Sequence, residues 1–260
     1  MALFNSTTSV LYFGSVLIPI AVISDPVSRA LEQLIARPHF VPNGPVMAVA
    51  ATIAFYLSYE FAYWLDHYLM HRFEVLWRFH SVHHTAESLS PLTNYRVHPV
   101  DSIIAYNILA ISNGITGGLL LFAFGGAASP YLIYGTNALI VVLVGVVGTL
   151  QHSHFWIVFP KPLDRLLLSP AHHQLHHSVD PAHHNSNYGS TLAIFDWLFG
   201  TLTVPPRRRP KLSFGVEGVV EPHRAEAMLL RPFAEAAAVL KRSSDRKPTV
   251  AADAEMAQVI

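Results

Sequence analysis

Long apolar runs alternate along this chain with short polar segments crowded with histidine. Val46 to Leu65, Ile103 to Phe124 and Tyr131 to Leu150 are each apolar over about 20 residues, the length a helix needs to cross a bilayer. A shorter apolar run covers roughly residues 9 to 24. It lacks the positive leader and small-residue cleavage site of a signal peptide, so it reads as a retained membrane segment. The pattern predicts an all-α integral membrane protein with about four transmembrane helices. "GGAASP", residues 125–130, joins the last two by a tight hairpin. No repeat of fixed period appears.

The polar segments divide the chain further. Residues 1–45 form an N-terminal membrane helix and loop, and residues 46–204 a membrane catalytic domain. Residues 205–260 form a polar tail that opens with "PPRRRPK". Within the tail, "RAEAMLLRPFAEAAAVLKR", residues 224–242, fits two readings: an amphipathic helix lying in a membrane interface, or a solvated tail helix. From Ser243 onward disorder is expected.

Composition sharpens the picture. Hydrophobic residues make up 52% of the 260 and charged residues only 13%, against about 25% charged in a soluble domain. Net charge is zero, which gives no reason to expect a nucleic-acid partner. There is no cysteine, which removes disulfides, thiolate ligands and iron–sulfur clusters. Among the lysines and arginines, only Arg29 and Arg37 fall in the loop after the first span. The others, including Arg72, Arg78, Arg96 and Arg207 to Arg209, share the side that carries the histidines. That bias puts the histidine-bearing side in the cytoplasm. The alanine-rich composition points to a bacterial inner membrane.

The sixteen histidines carry the chemistry. "DHYLMH" places His67 and His71 four apart, on one helix face. "HSVHH" gives His80, His83 and His84, and "HHQLHH" gives His173, His176 and His177 with His172 beside them. Residues at i, i+3 and i+4 share a face, so each H-x-x-H-H is expected to converge three imidazoles on one spot. A single buried histidine is ordinarily a hydrogen-bonded core residue. Eight at ligand spacing are hard to satisfy unless they share metal. So many ligands exceed what one ion takes and fit two ions with about four or five each. Imidazole suits iron, zinc, copper and nickel alike. Glu60, seven residues before His67, is a charge inside an apolar span. It is expected to accept an imidazole N–H behind the ligands.

These motifs together resemble the fatty acid hydroxylase/sterol desaturase superfamily of membrane-bound, histidine-box di-iron enzymes. The likeness runs from about Glu60 to Thr201. "EFAYWLDHYLMHRFEVLWRFHSVHH" is similar to the first two boxes and "SPAHHQLHHS" to the third. "RVHP", "NYG" and "FDWLFGT" are similar to the landmarks between and after them. The resemblance implies that His67, His71, His80, His83, His84, His173, His176 and His177 occupy ligand positions, with His152 of "QHSH" a ninth. His154 reads as a donor behind the ligands. His98, His172 and His184 stand as further candidates, as ligands or as supports. The resemblance also implies two iron ions, O2 as co-substrate, and hydroxylation or desaturation of a lipid C–H bond in lipid biosynthesis.

No flavin or nicotinamide fingerprint is present, so a separate ferredoxin, rubredoxin or cytochrome b5 type donor is expected to supply electrons. The expected architecture is a helical cap on the cytoplasmic side of the spans, holding the metals close to membrane lipids and a lipid substrate. A membrane zinc hydrolase using the same cluster is the alternative. It needs only three ligands per metal and an acid beside the bound water. A metal transporter would place its ligands in mid-membrane, whereas these lie past the span ends.

Overall fold

A computed structural model describes residues 18–38, 44–125, 129–219 and 224–245. Two helices among the described residues are long and apolar enough to cross a membrane: α2, Gly44–Arg72, and α4, Pro99–Phe124. α2 runs past its expected end at Leu65, so His67 and His71 ride on its last turns. His98 caps the start of α4 by accepting the Val100 N–H on Nδ1, with Pro99 in the first turn. Gly125, left-handed at φ 69°, ends it.

The other two expected spans come out differently. The run at 9 to 24 lies mostly outside the described residues. The segment expected as the following loop is helical as α1, Ala21–Leu34. α1 packs on α4 where Gly114 and Gly118 leave its surface bare. A Cβ at Gly118 would stand 2.7 Å from the Ser24 carbonyl oxygen. Small residues four apart allow this approach, as in membrane helix pairs. Ser58 of α2 bonds Ser112 and Asn113 of α4 at 2.9 and 3.0 Å, a polar seam between two apolar helices.

The run 131–150 is not one helix. It opens as a hairpin, β1 Leu132–Ile133 and β2 Thr136–Asn137, turned by Tyr134 and Gly135, both at positive φ. A π-helical stretch, Ile140–Gly148, follows and runs into α5, Thr149–Gln151. This helical part has 12 residues, too few to span a hydrocarbon core of about 30 Å at about 1.5 Å per residue. The hairpin is pinned to α2 instead: the Asn137 amide donates to the Thr52 carbonyl and the Tyr131 N–H to the Thr52 hydroxyl, each at 2.8 Å.

At one end of α2 and α4 lies a helical cap. It comprises α3, Glu74–His84, α6, Pro170–His176, and α7, Ile194–Leu198. A single extended residue, Phe73, folds α3 back from α2. α8, Ala225–Asp245, packs on α3 through Met228 and Val82 and carries Pro232 within it. α8 extends beyond Ser243, where disorder was expected. Residues 246–260 lie outside the described part.

Candidate metal centre

The end of α2, the helices α3 and α6, and the turn after α5 bring nine imidazoles into contact. They form two groups. His67, His71, His80, His84 and His176 make one, and His83, His152, His173 and His177 the other. Within each, one nitrogen per ring lies within 4.8 Å of the rest.

Neither H-x-x-H-H box converges on a single spot, contrary to the sequence expectation. Adjacent residues head about 100° apart around a helix, while i and i+4 differ by about 40°. His80 and His84 therefore face the first group and His83 the second. His173 and His177 face the second group and His176 the first. Each box thus serves both groups, and the two boxes lie across from one another.

The donor set fits metal. His67, His80 and His176 direct Nδ1 to the Tyr188 carbonyl, the Asp101 carboxylate and the Ser186 carbonyl, each at 2.8 Å. A carbonyl only accepts, so Nδ1 of His67 and His176 carries the proton and Nε2 keeps a lone pair. The Nε2 atoms of His67, His71 and His80 are buried with no partner among the described residues. In the second group the Nε2 atoms face each other, His152 lying 3.1 Å from both His83 and His177 and 2.9 Å from His173. Such a nitrogen cluster cannot satisfy itself by hydrogen bonds, because each contact needs one donor and one lone pair. A cation at its centre removes the conflict.

Burial, reinforced by neighbouring imidazoles, holds these rings neutral. His152 is pushed down to about 3, and His83, His84, His173 and His177 fall well below the ordinary histidine value. His176 is also pushed down to about 3 by burial, with its bond to Ser186 partly opposing the shift. Neutral imidazole is the metal-binding form.

The model of the fatty acid hydroxylase family matches residues 52–201 of this chain. The chain belongs to that family. Its relatives include a protein named ornithine lipid hydroxylase from Rhizobium tropici, 30% identical over 75% of this chain and 54% of its own length. An alkylglycerol monooxygenase of Xenopus tropicalis is 25% identical over 59% of this chain and 30% of its own. A methylsterol monooxygenase of Arabidopsis thaliana is 28% identical over 75% of this chain and 67% of its own. The chain thus spans about half the length of the first of these and less than a third of the second. No solved structure matches it.

Several residues expected at this family's centre stand elsewhere. Glu60 meets no imidazole among the described residues. Its carboxylate accepts the N–H groups of Thr191 and Leu192, at 3.0 and 2.9 Å, and the Thr191 hydroxyl, which ties a loop of the cap to α2. His154 is exposed, its ring against Phe155, so it supports no ligand. His98 caps α4 and reaches the Leu229 carbonyl at 3.2 Å. His172 completes a capping box with Ser169 and bonds the Asp164 carbonyl at 3.0 Å. His184 is exposed and lines a cavity of about 470 Å³ that also touches His71, His84, His176 and His177.

Three supports were missed in the sequence. Asp101, in the first turn of α4, accepts from His80. It carries the signal that singled out Glu60, an acid at an apolar span. Asp196 accepts the N–H groups of Tyr188 and Gly189, both at 2.8 Å, and the Thr201 hydroxyl at 2.6 Å. It thereby fixes the loop whose Tyr188 carbonyl receives His67. Arg96, fully buried, donates to the Val82 carbonyl at 3.0 Å and so holds the end of α3 that carries His83 and His84.

Proposed function

We propose that this protein is a membrane-bound di-iron oxidoreductase that uses O2 and external electrons to hydroxylate a C–H bond of a lipid. The observation that carries the reading is the division of nine imidazoles, eight of them on buried residues and His71 half-buried, into groups of five and four, a count suited to two ions. Relatives named hydroxylase and monooxygenase support oxygen insertion over desaturation.

His67, His71, His80, His84 and His176 would hold one iron, and His83, His152, His173 and His177 the other. The pair would supply O2 activation and oxidation of an unactivated C–H bond. The chain's own part is positioning. Asp101 and the carbonyls of Tyr188 and Ser186 orient three rings, and Asp196 and Glu60 hold the loop behind them. Trp77, its ring 4.8 Å from His71 and 5.2 Å from His84, shields the first group from water. The cavity reaches rings of both groups, which makes it the place for the reacting carbon. Its lining mixes Trp77, Val179 and Val216 with Arg72, Glu74 and Glu217, and so suits a carbon next to a polar group of the lipid.

The full reading has α2 and α4 as transmembrane segments, the cap in the cytoplasm by the lysine and arginine bias, a bacterial inner membrane, and a separate redox protein as electron donor. Elemental analysis of detergent-purified protein, wild type and His83→Ala, tests it. About two irons per chain in the wild type, falling toward one in the variant, is expected. Stoichiometric zinc that iron cannot replace would instead favour the hydrolase. A folded protein that binds no metal on reconstitution would overturn the reading.

A further inference from the structure

α8 has two apolar faces, and the cap uses only one. Met228, Pro232, Ala236 and Val239 are buried, with Met228 against Val82 of α3. On the opposite side Leu230 and Leu240 are exposed by 62 and 59%, and Phe233, half-exposed, stands at the edge with its ring also against Phe79 of α3 and His98, 5.3 Å from each. Ala234, Ala237 and Ala238, also exposed, fill the spaces between them. At 3.6 residues per turn these six make a continuous apolar strip along the middle of the helix. The charges gather on one flank and at the ends. Arg231 pairs with Glu235 at 3.3 Å, Arg242 with Glu74 of α3 at 2.9 Å, and Arg224 with Glu226 at 3.6 Å.

The position of α8 says what covers the strip. His98 accepts the Val100 N–H at the start of the membrane-length helix α4, and its Nε2 donates to the Leu229 carbonyl. α8 is therefore fastened at the end of α4, next to the strip residue Leu230. Along α4 an exposed apolar belt begins at once with Ile103 and continues through Ile111, Ile115 and Leu119. The His98–Leu229 bond places the start of the α8 strip beside the end of α4 from which this belt begins, the depth at which a helix lying flat meets headgroups and acyl chains.

We propose that α8 lies along the bilayer surface as an interfacial helix, with lipid as the occupant of its outward apolar face. This rests on the membrane-spanning part of the function reading and on none of its chemistry. α8 then fixes the depth of α3, and with it His80, His83 and His84, relative to the membrane. The cavity that His84 lines is held at a set height above the acyl chains.

The absence of cysteine makes the test direct. Single cysteines are placed at Leu230, Leu240, Ile115 and Arg208, and each is spin-labelled in full-length protein in lipid nanodiscs. Collisions with oxygen, which partitions into lipid, are compared with collisions with a water-soluble nickel chelate. Leu230 and Leu240 should show oxygen-to-nickel ratios near that of Ile115 and severalfold above that of the exposed loop residue Arg208. Ratios matching Arg208 would overturn the proposal. So would strong spin–spin broadening at Leu230 and Leu240 that disappears when the labelled protein is diluted with unlabelled protein, because it would identify a second copy as the occupant. If Ile115 also reads as water-exposed, α4 is no span and the proposal falls with it. Metal content and activity play no part in the readout, so failure here leaves the di-iron reading standing unless Ile115 fails.

Discussion

Among single residues, those that hold the imidazoles matter as much as the imidazoles themselves. Asp101→Ala removes the acceptor of His80 Nδ1, and iron binding in the five-histidine group should weaken by about 10- to 100-fold. Competition with a chelator reads this directly, and unchanged affinity would show that Asp101 does not orient the ring. Glu60→Ala should act differently. It strands the Thr191 and Leu192 N–H groups, costing about 1–3 kcal/mol for each one left unsatisfied, so thermal unfolding in detergent should come earlier. Iron per folded chain should stay near the wild-type value, since Glu60 touches no ligand. Acid should unfold the metal-free protein. His152 and His176 sit near 3 in the fold against about 6.5 when unfolded. Their neutral forms favour the fold fully above pH 6.5, and that contribution fades as pH falls toward 3. Each group takes away on the order of 1 kcal/mol per pH unit. A melting temperature of metal-free protein that stays flat between pH 6.5 and 4.5 would contradict the burial of these rings.

Among elements, close approach of helices decides what stands where. Gly118 lets α1 meet α4 with backbone near contact, so Gly118→Val should push the two apart and lower the melting temperature in detergent. A substitution at exposed Leu119, one residue on, should be tolerated, and equal effects at both positions would remove the packing explanation. The histidine boxes show how much of an element is legible. The spacing of His80, His83 and His84 declares a helix with one histidine-rich face. It does not declare that the face looks onto two centres, since that depends on α6 arriving opposite with its own triplet. The expected span at 131–150 failed for a related reason. Its apolar length was read as one helix, while Tyr134, Gly135 and the bonds of Asn137 and Tyr131 to Thr52 fold its first part into a hairpin against α2.

At the scale of the whole molecule, the proposed chemistry makes a simple demand. Membranes containing the protein should convert lipid to a product one oxygen atom heavier only with O2 and a reducing system. Mass spectrometry under 18O2 should place the label in that product, and label arriving from water instead would favour hydrolysis. The sequence alone determined the helical membrane class, the nine imidazoles and the family resemblance. These follow from local pattern: apolar length, i, i+4 spacing and residue type. Tertiary structure alone decided how the imidazoles divide, and that Glu60 braces a loop while Asp101 serves His80. It also decided that His98 and His172 hold helix ends and that His154 faces solvent. Apart from the caps of His98 and His172, which are made within their own segments, those outcomes depend on contacts between segments far apart in the chain, such as Glu60 with Thr191 and His67 with Tyr188. No spacing within one segment encodes which carbonyl or carboxylate another segment will bring to it.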